Sequence, residues 1–392
     1  MEKLQPNLRE GRLNSQMYEI DTSELRGRYF RCIEGCGFCC LCQPELMREE
    51  VSAFRGTPIE LFIVNSPIQR GRKALKMRSN GGACSMLRNR KCTIYEKRPH
   101  FCRQFPVRTH LMNRIQLTAD LSCRGVWLKD GEDLESYGLN ELHRLPEQYV
   151  QREFEEARYV FEEFRQNALE EGVWFETDIL RRDAQYLIEN SYFDSIPGMG
   201  RVIRAAEISR ERGIGFMEAI RTVGAQEGRR AALDMMRELL GELTEEKPLN
   251  EYPVFVDKDL NWKIYTMHDG MIEEKILKET GGTIGGTDFR FDTEAIEIED
   301  DGIATMREYA SLLNRRDAFL GFVYYLTDDA EYEYSMYETY MENIAVLMLD
   351  LAMRSALVQR GKVQKLSSEH IEEGIVFLDM DVHDAPTIGA VI

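Results

Sequence analysis

All nine cysteines of this 392-residue chain fall within its first 123 positions: Cys32, Cys36, Cys39, Cys40, Cys42, Cys84, Cys92, Cys102 and Cys123. Independent scatter would give that result on the order of one time in 30,000, so the thiols mark a site rather than background usage. Five of them lie within eleven residues, as Cys32-x3-Cys36-x2-Cys39-Cys40-x-Cys42. Packing gives no reason for such a ladder, although an isolated cysteine does behave as a small hydrophobe. Disulfides need an oxidising compartment, nine is an odd number, and the start MEKLQPNLREGR lacks the apolar core of an export signal. Metal ligation accounts for the spacing: neighbouring thiolates can converge on one ion or cluster, and adjacent cations favour the thiolate form.

Charge divides the chain at the same place. Residues 1–130 carry 23 basic and 13 acidic side chains, residues 131–392 carry 27 and 55, and the whole chain is at −18. Between Gln69 and Lys129 only Glu96 and Asp120 interrupt fifteen basic residues. Such asymmetry predicts two regions with different partners, or two that attract each other. The expected organisation is a cysteine-cluster domain over 1–130 and an acidic, mainly helical domain over 131–392. The fold class expected is therefore mainly α: a small irregular cysteine-rich metal-binding domain, then a larger α-helical domain with a small β hairpin or sheet insertion near 252–299. No run of eighteen apolar residues occurs, so no membrane span is expected and the location expected is cytoplasmic. Nucleic acid is disfavoured as a partner, because the basic region lacks the alternating aromatic and basic platforms of single-strand binders.

Periodicity fills in the second region. Val150, Phe154, Ala157, Phe161, Phe164 and Ala168 recur at three- and four-residue steps, with Pro146 in the first turn and Gly172 as the stop. Further helices are expected at about 176–190, 198–211, 214–243, 302–326 and 331–360. Val254–Met267 has strand composition around the turn Asp257–Asn261, and Phe289–Glu299 alternates with period two. In the front region, Glu45–Phe62 reads as a helix and turn that cover one side of the cysteine site. The run Gly281–Gly286 lacks both the Gly-Lys-Ser/Thr of a P-loop and the following helix of a dinucleotide loop, so it reads as a loop tip. His100 and His110 are candidate ligands or supporting donors by position. His143, His268, His370, His383 and the Glu372-Glu373 pair read as solvated. No nucleophile–base set stands out, so no catalytic residues are named and the chain reads as more a binding protein than an enzyme.

Which metal is left open. Structural zinc typically uses paired C-x2-C knuckles, whereas this ladder is irregular. Adjacent Cys39 and Cys40 point in divergent directions, which suits two centres or a bridge between them. Eight thiols would serve two four-thiolate centres, iron–sulfur clusters or zinc ions, with Cys42 left over. Arg88, Arg90, Lys91, Arg98, Arg103 and Arg124 would stabilise an anionic thiolate cluster.

The stretches CIEGCGFCC (Cys32–Cys40), CSMLRNRKCTIYEKRPHFCRQFP (Cys84–Pro106) and LSCRG (Leu121–Gly125) resemble the CxxCxxCC, or YkgJ-type, zinc- or iron-chelating domain family. Cys36, Cys39, Cys40, Cys84, Cys92, Cys102 and Cys123 fall on the family's ligand positions. Cys32 falls beside one, with three residues before Cys36 where the pattern has two, and Cys42 is extra. The resemblance spans roughly residues 30–126 and implies metal binding. The function expected is an iron–sulfur protein with one or two clusters, acting in electron transfer or cluster handling with protein partners in a larger cytoplasmic redox or metalloenzyme-activating assembly. Two alternatives stay open: a zinc-stabilised interaction module, and a protein-modifying methyltransferase, the latter because a flagellin lysine methylase carries a similar cysteine pattern.

Overall fold

The computed structural model describes residues 9–13, 16–67, 71–363 and 365–392. The opening residues 1–8, on which the export-signal expectation partly rests, lie outside that set. The chain is 50% helix and 16% strand, and the strands correct the expected fold class. The front region is partly β rather than a small irregular domain. Its main sheet has the order Arg9–Leu13, Gln16–Asp21, Ile115–Ala119, Val107–Leu111, Ala390–Val391. All neighbours are antiparallel except Gln16–Asp21 against Ile115–Ala119. A three-stranded sheet of Glu45–Leu46, Lys73–Leu75 and Ile63–Asn65 lies beside the cysteines.

The reason this sheet escapes a periodicity reading is burial. Every residue of Ile115–Ala119 is buried, so the strand has no solvent face to produce alternation. The last strand comes from the far end of the sequence, where Ile392 N–H donates to the Thr109 carbonyl and Ile388 N–H to that of Gly321.

The helices follow their patterns more closely. Glu147–Glu170 buries Val150, Phe154, Ala157, Phe161, Phe164 and Ala168, the six residues at helical spacing. Thr177–Glu189 and Ile196–Arg212 also form, the second ending at Gly213 in the left-handed conformation. Two long expected helices are each split in two: Phe216–Thr222 from Ala225–Thr244, and Asp300–Leu313 from Asp317–Asp329. Met336–Val358 is almost wholly buried, and Ser368–Asp384 packs along it.

The insertion near 252–299 is a four-stranded antiparallel meander of Phe255–Val256, Trp262–His268, Met271–Leu277 and Thr283–Phe289. Its last strand contains part of the glycine run. The alternating stretch after Phe289 instead forms a turn of 3-10 helix at Thr293–Ala295 and a short strand, Glu297–Ile298. Gly281 is a close-approach residue, at φ +95°, where a Cβ would stand 2.3 Å from the Ser79 carbonyl oxygen. The glycine loop therefore docks onto the front region.

One hydrophobic cluster runs from Ile20 and Leu25 through the helices to Ile392. Inside it sits an ion network that ties front to rear. Arg316, fully buried, donates to Asp379 Oδ1 at 2.6 Å, to both Glu24 carboxylate oxygens at 2.8 and 3.0 Å, and to the Ala119 carbonyl at 2.9 Å. Tyr309 Oη donates to Asp379 at 2.7 Å. Burial opposes ionisation of Asp379, but Arg316 and His383 outweigh it and hold the carboxyl well below the usual carboxylate range. His383 and Glu373, which read as solvated in the sequence, are both buried; Glu373 makes a two-pronged pair with Arg124 at 2.6 and 2.7 Å.

Removing one member of such a network strands a buried charge, which costs about 3–5 kcal/mol. Asp379→Ala is expected to lower unfolding stability by that amount in urea titrations. A loss below about 1 kcal/mol would show that the network does not join the two regions energetically.

Candidate metal centre

Short local elements set several of the cysteines. Cys36 precedes Gly37, at φ +62°, and the 3-10 helix Phe38–Cys40. Cys92 ends a two-stranded hairpin, Leu87–Arg88 with Lys91–Cys92, turned by Asn89 and Arg90 at positive φ. Cys84 is fixed by its N–H to the Cys40 carbonyl at 2.8 Å. Cys102 lies on the short helix His100–Arg103, and Cys123 in the turn beyond the strand Ile115–Ala119. All nine are free thiols.

Two adjoining cavities gather eight of the nine. A cavity of about 390 Å³ is lined by Cys32, Cys39, Cys40, Cys84, Cys92 and Cys102, with Leu75, Met86, Leu87 and Ile94 as apolar wall. A larger one, about 1080 Å³, is lined by Cys32, Cys36, Cys39 and Cys123. Cys32 and Cys39 belong to both. Cys42 lines neither; its sulfur meets Met380 Sδ at 3.8 Å. The thiols surround these spaces without yet closing on them: among the described residues, no three Cys, His, Asp or Glu side chains stand as a finished ligand set.

The thiols also shift one another's protonation. Hydrogen bonding from Cys40 lowers the Cys39 thiol and brings that of Cys92 down to about 6, while Cys40, the donor, is raised. Removal from water, reinforced by neighbouring sulfurs, pushes Cys36 and Cys84 up to about 11 and raises Cys32, Cys102 and Cys123. So many sulfurs in one place cannot all ionise without a cation. Working the other way is a repeated backbone feature. The backbone N–H two residues on lowers the thiol in four cases: Phe38 for Cys36, Met86 for Cys84, Ile94 for Cys92 and Gly125 for Cys123. Such donors stabilise thiolate, as supporting hydrogen bonds do at metal ligands. The donor set therefore fits a thiophilic metal, zinc or iron.

The cations divide by role. Arg98 faces Cys32 and Cys39, and its guanidinium lies 3.7 Å above the Tyr95 ring. Arg90 lies 3.4 Å above the Trp262 ring and donates to the Cys36 carbonyl at 3.1 Å. Arg124 and Arg103 serve the fold, paired with Glu373 and Glu141, and Lys91 pairs with Glu34 at the surface. His100 and His110 are buried and line neither cavity. Both ring nitrogens of His100 lack a partner, while His110 Nε2 meets Thr387 Oγ1 at 3.3 Å. The expected cover of the site is shorter than a full helix: Arg48–Phe54 and the 3-10 turn Pro58–Phe62 bring Phe54 and Ile59 against Cys84.

Trp262 is the residue that sequence reasoning missed. Fully buried, it donates its indole N–H to the Cys36 carbonyl at 3.0 Å. Beside it, Glu279 accepts from Arg90 N–H at 2.7 Å, and its own carbonyl accepts from Ala83 N–H at 3.0 Å. A tryptophan in a strand 226 residues away gives no local signal of this role.

Residues 31–124 match the CxxCxxCC family model, described as a "Putative zinc- or iron-chelating domain", so the N-terminal part of the chain carries a domain of that type. An uncharacterized protein of Methanocaldococcus jannaschii is 29% identical over 123 residues, which cover 29% of this chain and 66% of that protein. The match thus takes in just under two thirds of the relative's length. No solved structure matches. No helix among the described residues is long and apolar enough to cross a membrane.

Because Cys36 and Cys84 keep their protons well above neutrality, metal must displace them, and affinity must rise with pH. Zinc loading, followed by chelator competition between about pH 6.5 and 8.5, is expected to tighten about tenfold per pH unit for each proton displaced. A flat profile would mean that these thiols are not ligands.

Proposed function

We propose that this chain is an iron–sulfur protein that carries or handles electrons, or clusters, for protein partners in a cytoplasmic multi-subunit redox or metalloenzyme-activating assembly. The observation that carries the reading is the convergence of eight thiols on two adjoining cavities, four of them served by backbone N–H donors. Thiolate ligation with N–H donors to sulfur is how a protein holds an iron–sulfur cluster and adjusts its potential. Arg98, close to two of the sulfurs, would favour the reduced, more negative state. Cys32, Cys36, Cys39, Cys40, Cys84, Cys92, Cys102 and Cys123 are the proposed ligands. Cys42 is left out on its position.

A zinc-stabilised module is the second reading, favoured by the smaller cavity. Cys40, Cys84, Cys92 and Cys102 line it and not the larger one, and four thiolates are the number a structural zinc takes.

Oxygen-free purification, then iron, zinc and sulfide quantitation with a visible spectrum, separates the two. The proposal expects a brown protein with iron and acid-labile sulfide in comparable amounts, and loss of colour in Cys36→Ser. A colourless protein holding zinc alone would overturn it in favour of the second reading.

A further inference from the structure

The matched stretch, residues 31–124, does not contain everything that touches the cysteine loops. Trp262 and Glu279, both from the meander, reach those loops from well beyond its end. Trp262 donates its indole N–H to the Cys36 carbonyl at 3.0 Å. Arg90, stacked 3.4 Å above the same indole, donates to that carbonyl at 3.1 Å. Arg90 also turns the hairpin that ends in Cys92, so one indole engages both the Cys36 loop and the Cys92 hairpin. The fit is close: a Cβ on Gly37 would stand 3.3 Å from Trp262 Cζ2 and 3.2 Å from Leu87 Cδ2. Phe38, Ala83, Leu87 and Trp262 share one buried cluster.

Glu279 acts on the hairpin side. It accepts from Arg90 N–H at 2.7 Å and pairs with Arg78 at 3.6 Å. Arg78 in turn donates to the Cys84 carbonyl at 3.1 Å, and Cys84 N–H donates to the Cys40 carbonyl at 2.8 Å. The carbonyls of Cys36, Cys40 and Cys84 are therefore all held. Two of the three are held by groups from the meander or tied to it. These contacts fix where the backbone stands and leave ligation to the sulfurs.

We propose that Trp262 and Glu279 are positioning residues of the metal centre. They hold the Cys36 loop and the Cys84–Cys92 segment at the separation that lets their thiols share a metal ion or cluster. Metal occupancy in return fastens the meander, because coupling between two such events is reciprocal. This rests on the metal-binding reading but not on the choice between iron and zinc.

Cobalt(II) is the probe, since its visible bands report ligand geometry whichever metal is native. In the full-length protein, Trp262→Phe keeps an aromatic ring and loses the indole N–H. It is expected to weaken cobalt binding about tenfold, the lower end of what supporting groups contribute at metal sites, and to shift the bands at saturation. Glu279→Ala is expected to act in the same direction. Trp174→Phe is the control: its indole N–H donates to Glu176 at 3.1 Å among the helices, and affinity and bands are expected to stay as in the unaltered protein. A second measurement needs no substitution. Hydrogen exchange read by mass spectrometry is expected to slow about tenfold in Trp262–His268 on cobalt loading and to stay unchanged in Glu147–Glu170.

Affinity and bands that survive both meander substitutions would overturn the proposal. So would weaker binding with bands unmoved at saturation, which would mean lost stability rather than lost position. Exchange in Trp262–His268 that ignores cobalt would overturn the return effect on the meander. A protein that binds no cobalt at all would overturn the metal reading together with this one.

Discussion

Eight thiols around a shared space form an electrostatic problem before they form a site. Each thiolate raises the cost of ionising the next, and removal from water adds to that cost. Burial and neighbouring sulfurs raise most of these thiols, while Cys39 and Cys92, beside Cys40, are lowered. A metal resolves the conflict, because it replaces several protons with one concentrated positive charge. The surrounding fold has then to keep sulfurs that repel one another within reach of a common centre.

Much of that restraint comes from the cysteine-free part of the chain. The meander supplies Trp262 and Glu279, which hold the Cys36 carbonyl and the Arg90 turn. The helix Ser368–Asp384 holds the Cys123 turn from the other side. Asp379 accepts from Leu121 N–H at 2.6 Å, Ser122 Oγ accepts from Met380 N–H at 2.8 Å, and Glu373 clamps Arg124. The opposite net charges of the two regions are expressed in such pairs, with Arg114 on Asp317, Arg108 on Asp384 and Arg78 on Glu279 as further examples. The basic surplus of the front region is in good part consumed within the chain, which leaves less of it for an external polyanion.

The cysteine positions, the amphipathic helix Glu147–Glu170 and the meander's first turn were legible because each is a local pattern. What could not be read is what depends on distant chain. Ile115–Ala119 looks unlike a half-buried strand because both its faces are covered, one of its neighbours being the parallel strand Gln16–Asp21. Glu373 and His383 look solvated in an acidic run until Arg124 and Asp379 are placed beside them. The glycine run looks like a free tip until Asn80 and Gly82 approach it. In most of these cases the local composition was ordinary and a partner distant in the chain decided the outcome.

Cys39 and Cys40 show how a local feature and a distant one combine. Neighbouring side chains cannot point the same way along a short 3-10 turn, so two adjacent thiols must address different spaces. Here Cys39 reaches the boundary of both cavities, while Cys40 reaches only the smaller. Cys42, two positions on, has turned away from both, toward Met380 on the rear helix. Of three sulfurs in four residues, one is therefore placed to be shared, one to be committed, and one to contact the element that holds Cys123. The doubled cysteine is thus the point at which the chain's sulfur divides between two spaces.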